Sequence, residues 1–81
     1  MSTEFAGLTA VVTGAGSGIG LATATILKER GATVYGLDLA EGGMSGIATW
    51  VQCDLSDDAS VAKAFEGITK LDILINNAAI S

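Results

Sequence analysis

The residues of this chain best placed to do chemistry are glycines and acids, not nucleophiles or bases. Gly14-Ala15-Gly16-Ser17-Gly18-Ile19-Gly20 puts four glycines in seven positions, and Asp38 lies 18 positions after the last of them. Gly14, Gly18 and Gly20 make a G-x-x-x-G-x-G turn. When such a turn joins a strand to a helix it builds an anion site from backbone alone. The first glycine allows the tight turn, and the middle ones keep side chains away so that N–H groups can approach a diphosphate. The last lets helix and strand pack closely. The helix N-terminus adds about half a positive charge and free N–H donors. An acid at the end of the next strand can accept the hydroxyls of an adenosine ribose and repel a 2′-phosphate.

Composition narrows the remaining possibilities. The 81 residues carry nine acids and four bases, for a net charge of −5, with no histidine and one cysteine. A disulfide framework is excluded within the chain, and a zinc site is disfavoured. The acidic balance, with no cluster of basic residues, argues against a nucleic-acid partner. No run of about 18 apolar residues suggests a membrane span, and Met1-Ser2-Thr3-Glu4-Phe5 does not read as a secretory signal. A cytoplasmic location is therefore expected. No Gly-Lys-Ser/Thr follows the turn, so a P-loop is not indicated. The local backbone field explains how an acidic chain would hold a dianion.

The elements needed to position these residues are legible. Leu8–Thr13 is short, β-branched and bounded by glycines, as a strand buried on both faces would be. A helix follows, with Ile19, Ala22, Ile26 and Leu27 expected on its buried face. Lys28 and Arg30 are expected in its last turn, and Gly31 suits the C′ position. Ala32–Asp38 reads as a second strand, residues 40–47 as a loop with one helical turn at most, and Thr49–Cys53 as a third strand. Ser56 is the expected N-cap of a second helix, with Asp57 and Asp58 in its first turn. Val61, Phe65 and Ile68 form that helix's buried stripe, and Leu71–Asn76 is a fourth strand. Trp50 and Phe65 are expected in the core, and Cys53 as an inert buried thiol. The alternation implies an α/β fold with a parallel sheet and right-handed crossovers.

At this level of detail the chain resembles the short-chain dehydrogenases/reductases. Thr13-Gly14-Ala15-Gly16-Ser17-Gly18-Ile19-Gly20 is similar to their TGxxxGIG fingerprint. Cys53-Asp54-Leu55 resembles the acidic-aliphatic step after their third strand. Leu71-Asp72-Ile73-Leu74-Ile75-Asn76-Asn77-Ala78-Ala79 resembles their LDxLxNNAG segment. The resemblance implies a Rossmann-type parallel sheet in the order 3-2-1-4, with residues 1–81 forming the N-terminal part of a single NAD(P)-binding domain. It implies that Gly14, Ser17, Gly18 and Ile19 face a pyrophosphate. Asp38, with Leu39 beside it, would hold the adenosine ribose and select NAD over NADP. Asp54 would accept the adenine amino group, with Leu55 against the ring. Asn77, Ala78 and Ala79 would line the coenzyme, and Thr13 would tie that segment to the glycine turn. Ala79 departs from the family's glycine, a crowding expected to be tolerated. The link between the second and third strands is short, and the helix usual there is expected to be reduced to a loop.

The family's catalytic Tyr-x-x-x-Lys cannot be carried over. The one tyrosine, Tyr35, has Leu39 four positions on and sits in the strand before the ribose acid. The expected role is thus the NAD-binding portion of an oxidoreductase that moves hydride between a nicotinamide and an alcohol or carbonyl substrate, inactive alone. Its edge strand Ile73-Leu74-Ile75 favours association with a second copy or with a C-terminal part. Other readings stay open. Asp54 can be only a helix-entry cap, and Asn76 and Asn77 can simply close a turn. A SAM-dependent methyltransferase fragment would also have a glycine run and acids after strands two and three, though Val11-Val12-Thr13 lacks the acid usual before that run. A non-catalytic nucleotide-binding module is the third possibility.

Overall fold

In a computed structural model of the chain, residues 3–78 are described. The elements run β1 (Thr9–Thr13), α1 (Gly18–Glu29), β2 (Thr33–Asp38), β3 (Thr49–Gln52), α2 (Asp58–Glu66) and β4 (Ile73–Ile75). The four strands form one sheet in the order β3-β2-β1-β4, and every pairing is parallel. The expected Rossmann-type order is therefore observed. The first three strands are each one residue shorter than the apolar runs suggest, and β4 is three residues shorter. Leu8, Ala32 and Cys53 lie just outside the ladder, as do Leu71, Asp72 and Asn76.

Crossover handedness decides where the helices go. The β1-α1-β2 unit steps one way along the sheet, and β3-α2-β4 steps back past both strands. Two right-handed connections in opposite directions put the helices on opposite faces. Because side chains alternate along a strand, each face has its own core. Ala10, Val12 and Val34 meet Ala24 and Leu27 of α1, with Met44 from the β2–β3 link. Val11 and Leu37 meet Cys53 and Ala64, with Val61, Phe65 and Ile68 packed around them. Met44 is fully buried. It lies against Gly36, where an added Cβ would stand 2.2 Å from the Met44 sulfur.

Helix α1 does not bury the face that its hydrophobicity suggests. Gly20, Ala24 and Leu27 are buried, whereas Ile19 is 77% exposed and Ile26 is 48% exposed. Small residues carry the contact because the helix lies very close to β1. A Cβ on Gly20 would stand 2.0 Å from the Gly14 carbonyl oxygen. The helix ends in a Schellman arrangement: the Gly31 N–H donates to Lys28 O at 3.0 Å and the Ala32 N–H to Leu27 O at 3.0 Å. Lys28 is in the last turn, and Arg30 is the C-cap rather than part of that turn.

Helix α2 is capped by Asp57, not by Ser56. Asp57 is extended (φ −116°) and its side chain accepts the Ala59 N–H at 3.1 Å. Ser56 is occupied elsewhere, donating to Asp54. Residues 39–48 form turns without a helix, as the short link implied. Trp50 is another departure: it is 37% exposed on the edge strand, not in the core.

A polar clasp sets the β1–β4 register. The Asp72 N–H donates to Thr9 O at 2.9 Å, and the Thr9 N–H returns to Asp72 Oδ2 at 2.8 Å. Lys70 donates to the same carboxylate and, at 2.6 Å, to Gly7 O. The Lys70 ammonium and the Thr9 N–H hold the Asp72 carboxyl below its ordinary value.

Candidate functional site

The C-terminal ends of the four strands share one edge of the sheet. Successive connections leave β1 toward β2 on one side and reach β4 on the other, so the strand order reverses between β1 and β4. Open parallel sheets bind ligands at such a switch point. The glycine turn rises from β1 at this edge, Asp38 and Leu39 from β2, Asp54 and Leu55 from β3, and Asn77 and Ala78 from β4. Ala79 lies outside the described residues.

The turn is held from both sides. Gly14 has φ +67° and donates its N–H to Leu37 O at 2.7 Å. The Thr13 hydroxyl accepts the N–H groups of Asn77 and Ala78 at 3.0 and 3.1 Å, and is 3.2 Å from Asn76 Oδ1 as its acceptor. The Asn77 amide reaches Gly14 O at 3.5 Å. Thr13 thus ties the segment after β4 to the glycine turn.

The turn's geometry suits a dianion. Ser17 is the N-cap of α1, fully extended (φ −158°, ψ 173°), yet its side chain makes no capping hydrogen bond, and no acid lies in the first helical turn. The opening N–H groups of α1 are therefore not masked by their own cap. Gly18, at φ +57°, has nothing within 4 Å of where a Cβ would stand, so the backbone faces open space. Ser17, Gly18 and Ile19 are all exposed there.

Asp38 leans on this turn. Its Oδ2 accepts the Gly16 N–H at 3.0 Å and its Oδ1 the Leu39 N–H at 2.8 Å. A Cβ on Gly16 would stand 3.0 Å from Asp38 Oδ2 and 3.0 Å from Ala40 O. The loop after β2 folds back over the same residue: the Gly43 N–H donates to Gly16 O at 2.9 Å, and a Cβ on Gly42 would lie 2.0 Å from that oxygen. The sequence pattern of 40–47 indicates a loop with one helical turn at most, and not this contact. Its one signal was the Gly42-Gly43 pair, which permits that close backbone approach.

Asp54 behaves differently. Its Oδ1 accepts the Ser56 hydroxyl at 2.6 Å and the Ser56 N–H at 3.0 Å, and these bonds, the hydroxyl's first, hold its carboxyl below the ordinary value. It therefore does shape the entry to α2. It also borders a groove of about 420 Å³ shared with Leu39, Gln52 and Lys63. Leu55 does not join that groove. It lines a separate cavity of about 240 Å³ with Phe65 and Leu74. Cys53 is buried, with the Ser60 hydroxyl 3.8 Å from its sulfur. Among the described residues no three His, Cys, Asp or Glu side chains gather as a metal set, and no helix is long and apolar enough to cross a membrane.

Comparison with known proteins agrees with this fold. The family model described as short chain dehydrogenase matches residues 8–81. A cis-4-hydroxycyclohexanecarboxylate dehydrogenase of Sinomonas cyclohexanicum is 44% identical, over all of this chain and 38% of the relative. A carbonyl reductase [NADPH] 2 of Sus scrofa is 36% identical, over all of this chain and 36% of its own length. A solved short chain dehydrogenase/reductase family protein superposes with a TM-score of 0.85 at 43% identity, covering 95% of this chain and 36% of that one. The chain thus spans little more than a third of the length of these relatives. Nothing in these matches supports the methyltransferase alternative.

Proposed function

The chain belongs to the short-chain dehydrogenase family, and from that premise we propose that it is the coenzyme-binding portion of an oxidoreductase and prefers NAD to NADP. The observation that carries the preference is Asp38: a carboxylate at the end of β2, within hydrogen-bond distance of the glycine turn. A carboxylate there accepts ribose hydroxyls and repels a 2′-phosphate. The preference must be argued from this residue, because the family includes a relative named for NADPH.

The diphosphate would lie on the N–H groups of Ser17, Gly18 and Ile19, with Gly14 shaping the turn beneath. Asp38 would exchange its Gly16 amide contact for ribose hydroxyls, or share the two. Asp54 would receive the adenine amino group in the groove it borders with Leu39, and Leu39 would cover the ring. Leu55, which lines the separate cavity with Phe65 and Leu74, would not cover the ring from there. Asn77, Ala78 and Ala79 would line the crevice between β1 and β4. A bound nicotinamide supplies the hydride acceptor or donor for interconverting an alcohol and a carbonyl compound. The chain's own residues would bind and orient the coenzyme. Catalytic groups would come from outside these 81 residues, so we expect no turnover from the chain alone, and association with a second copy or a complementing C-terminal part. The whole protein would act in the cytoplasm.

Titration with NADH, followed by nicotinamide emission, tests the reading. A blue-shifted, saturable signal, weaker with NADPH, is expected. Equal or tighter NADPH binding would remove the ribose assignment, and a response to S-adenosylmethionine alone would remove the family role.

A further inference from the structure

We propose that Trp50 is a positioning residue for the ribose-binding acid: its indole N–H fixes the peptide that orients the Asp38 carboxylate, and so sharpens the preference for NAD. This rests on the role of Asp38 proposed above. Trp50 is the chain's one tryptophan and stands on β3, the edge strand, at 37% exposure. Burial does not require a tryptophan there, since smaller β-formers serve an edge strand as well. Its register partner on β2 is Gly36. Met44 fills the space over Gly36, and the indole N–H reaches the end of β2 at Asp38.

The contact it makes is specific. The indole Nε1–H donates to Asp38 O at 3.0 Å. The Cys53 N–H donates to the same oxygen at 3.1 Å, and the Gln52 side-chain amide to Leu39 O at 3.4 Å. The Asp38 carbonyl and the Leu39 N–H belong to one rigid peptide plane. One side of that plane is held by Trp50 and Cys53. The other side donates its N–H to Asp38 Oδ1 at 2.8 Å, while Oδ2 is held by Gly16 at 3.0 Å. Rotation of the plane would move the Leu39 N–H and release Oδ1, so a bond on the carbonyl sets the carboxylate. Residues 39–48 form no helix that could brace this peptide instead, and β3 supplies the bracing donors.

Trp50→Phe keeps an aromatic ring and removes the donor. NADH and NADPH affinities are measured by nicotinamide emission for the parent, Trp50→Phe, Asp38→Ala and the double variant. NADH affinity is expected to fall about threefold to tenfold in Trp50→Phe, the worth of one neutral hydrogen bond. NADPH affinity should fall less, so that the preference narrows, and adding Trp50→Phe to Asp38→Ala should change nothing further. A merely structural role would lower the melting temperature and both affinities in proportion. An unchanged NADH/NADPH ratio in Trp50→Phe, or effects that add in the double variant, overturns the proposal. Should Trp50→Phe not fold, the parent's own emission decides. Binding of 5′-AMP should shift Trp50 emission, and 2′-deoxy-5′-AMP should shift it less. Displacement of NADH by 5′-AMP with no change in Trp50 emission overturns the proposal. A parent that binds neither dinucleotide overturns the coenzyme reading, and this proposal with it.

Discussion

The ends of β2 and β3 each carry an acid followed by leucine, Asp38-Leu39 and Asp54-Leu55, yet the fold uses them differently. Asp38 bonds across 22 residues to Gly16, so its position is coupled to the glycine turn and the start of α1. The Asp54 carboxylate bonds only two residues ahead, to Ser56, and its order depends on its own turn. A strand-end acid is therefore not one kind of site. Long-range partners make a carboxylate part of a crevice, and local partners make it part of a helix entry. Changes to the Asp38 carboxylate should register in coenzyme binding, and changes to the α2 cap that follows Asp54 mainly in stability.

The most severe test acts on the seat of α1 against the glycine turn. Gly20→Ala drives a methyl into the Gly14 carbonyl, 2.0 Å away, and neither backbone can yield easily. It should cost about 3 kcal/mol and lower the melting temperature by more than about 10 °C, as followed by circular dichroism. A near-normal melting temperature would mean that α1 does not approach β1 so closely. Asp38→Ala comes next. It should weaken NADH binding by tenfold or more, in line with about 1.5–3 kcal/mol for hydrogen bonds to a charged group, and narrow the gap to NADPH. At the other strand end, Asp57→Ala should cost about 1 kcal/mol as a lost N-cap and leave NADH affinity as it was. A large affinity loss there would blur the division between the two regions.

The smallest effect is one of pH. Hydrogen bonds hold Asp72 and Asp54 below their ordinary values in the folded chain. The unfolded chain therefore takes up protons first as pH falls. The stability these two acids give is complete above the ordinary carboxylate range. It is lost progressively from about pH 4 downward, through the lowered folded values. Asp72→Asn should remove part of that acid dependence from melting curves taken across this range. A parent whose stability did not fall with acid would contradict the Lys70–Asp72–Thr9 clasp.

Much of this was legible in the sequence, for reasons specific to each segment. The central strands β1 and β2 showed as short apolar runs because both faces of the sheet are covered along most of their length. Asp38 showed because only its distance from the turn was needed. The face of α1 did not, since periodicity follows large apolar residues and here Gly20 and Ala24 make the contact while Ile19 and Ile26 look outward. Ser56 and Asp57 are both good caps, and only the side chain that reaches Ala59 decides between them. Trp50 was expected in the core because indole is large and apolar. Its N–H, bonded to a carbonyl one strand away, is a tertiary contact that no local pattern encodes. The same holds for Met44, whose burial depends on the space left at Gly36.

The most direct test of a diphosphate held on backbone amides is residue by residue. Amide chemical shifts of the ¹⁵N-labelled chain would be recorded during a titration with NAD. The largest movements are predicted at Gly16, Ser17, Gly18, Ile19 and Leu39, saturating together. Saturable shifts centred instead on the lysines, Lys63 or Lys70, with residues 16–19 unmoved, would contradict the account.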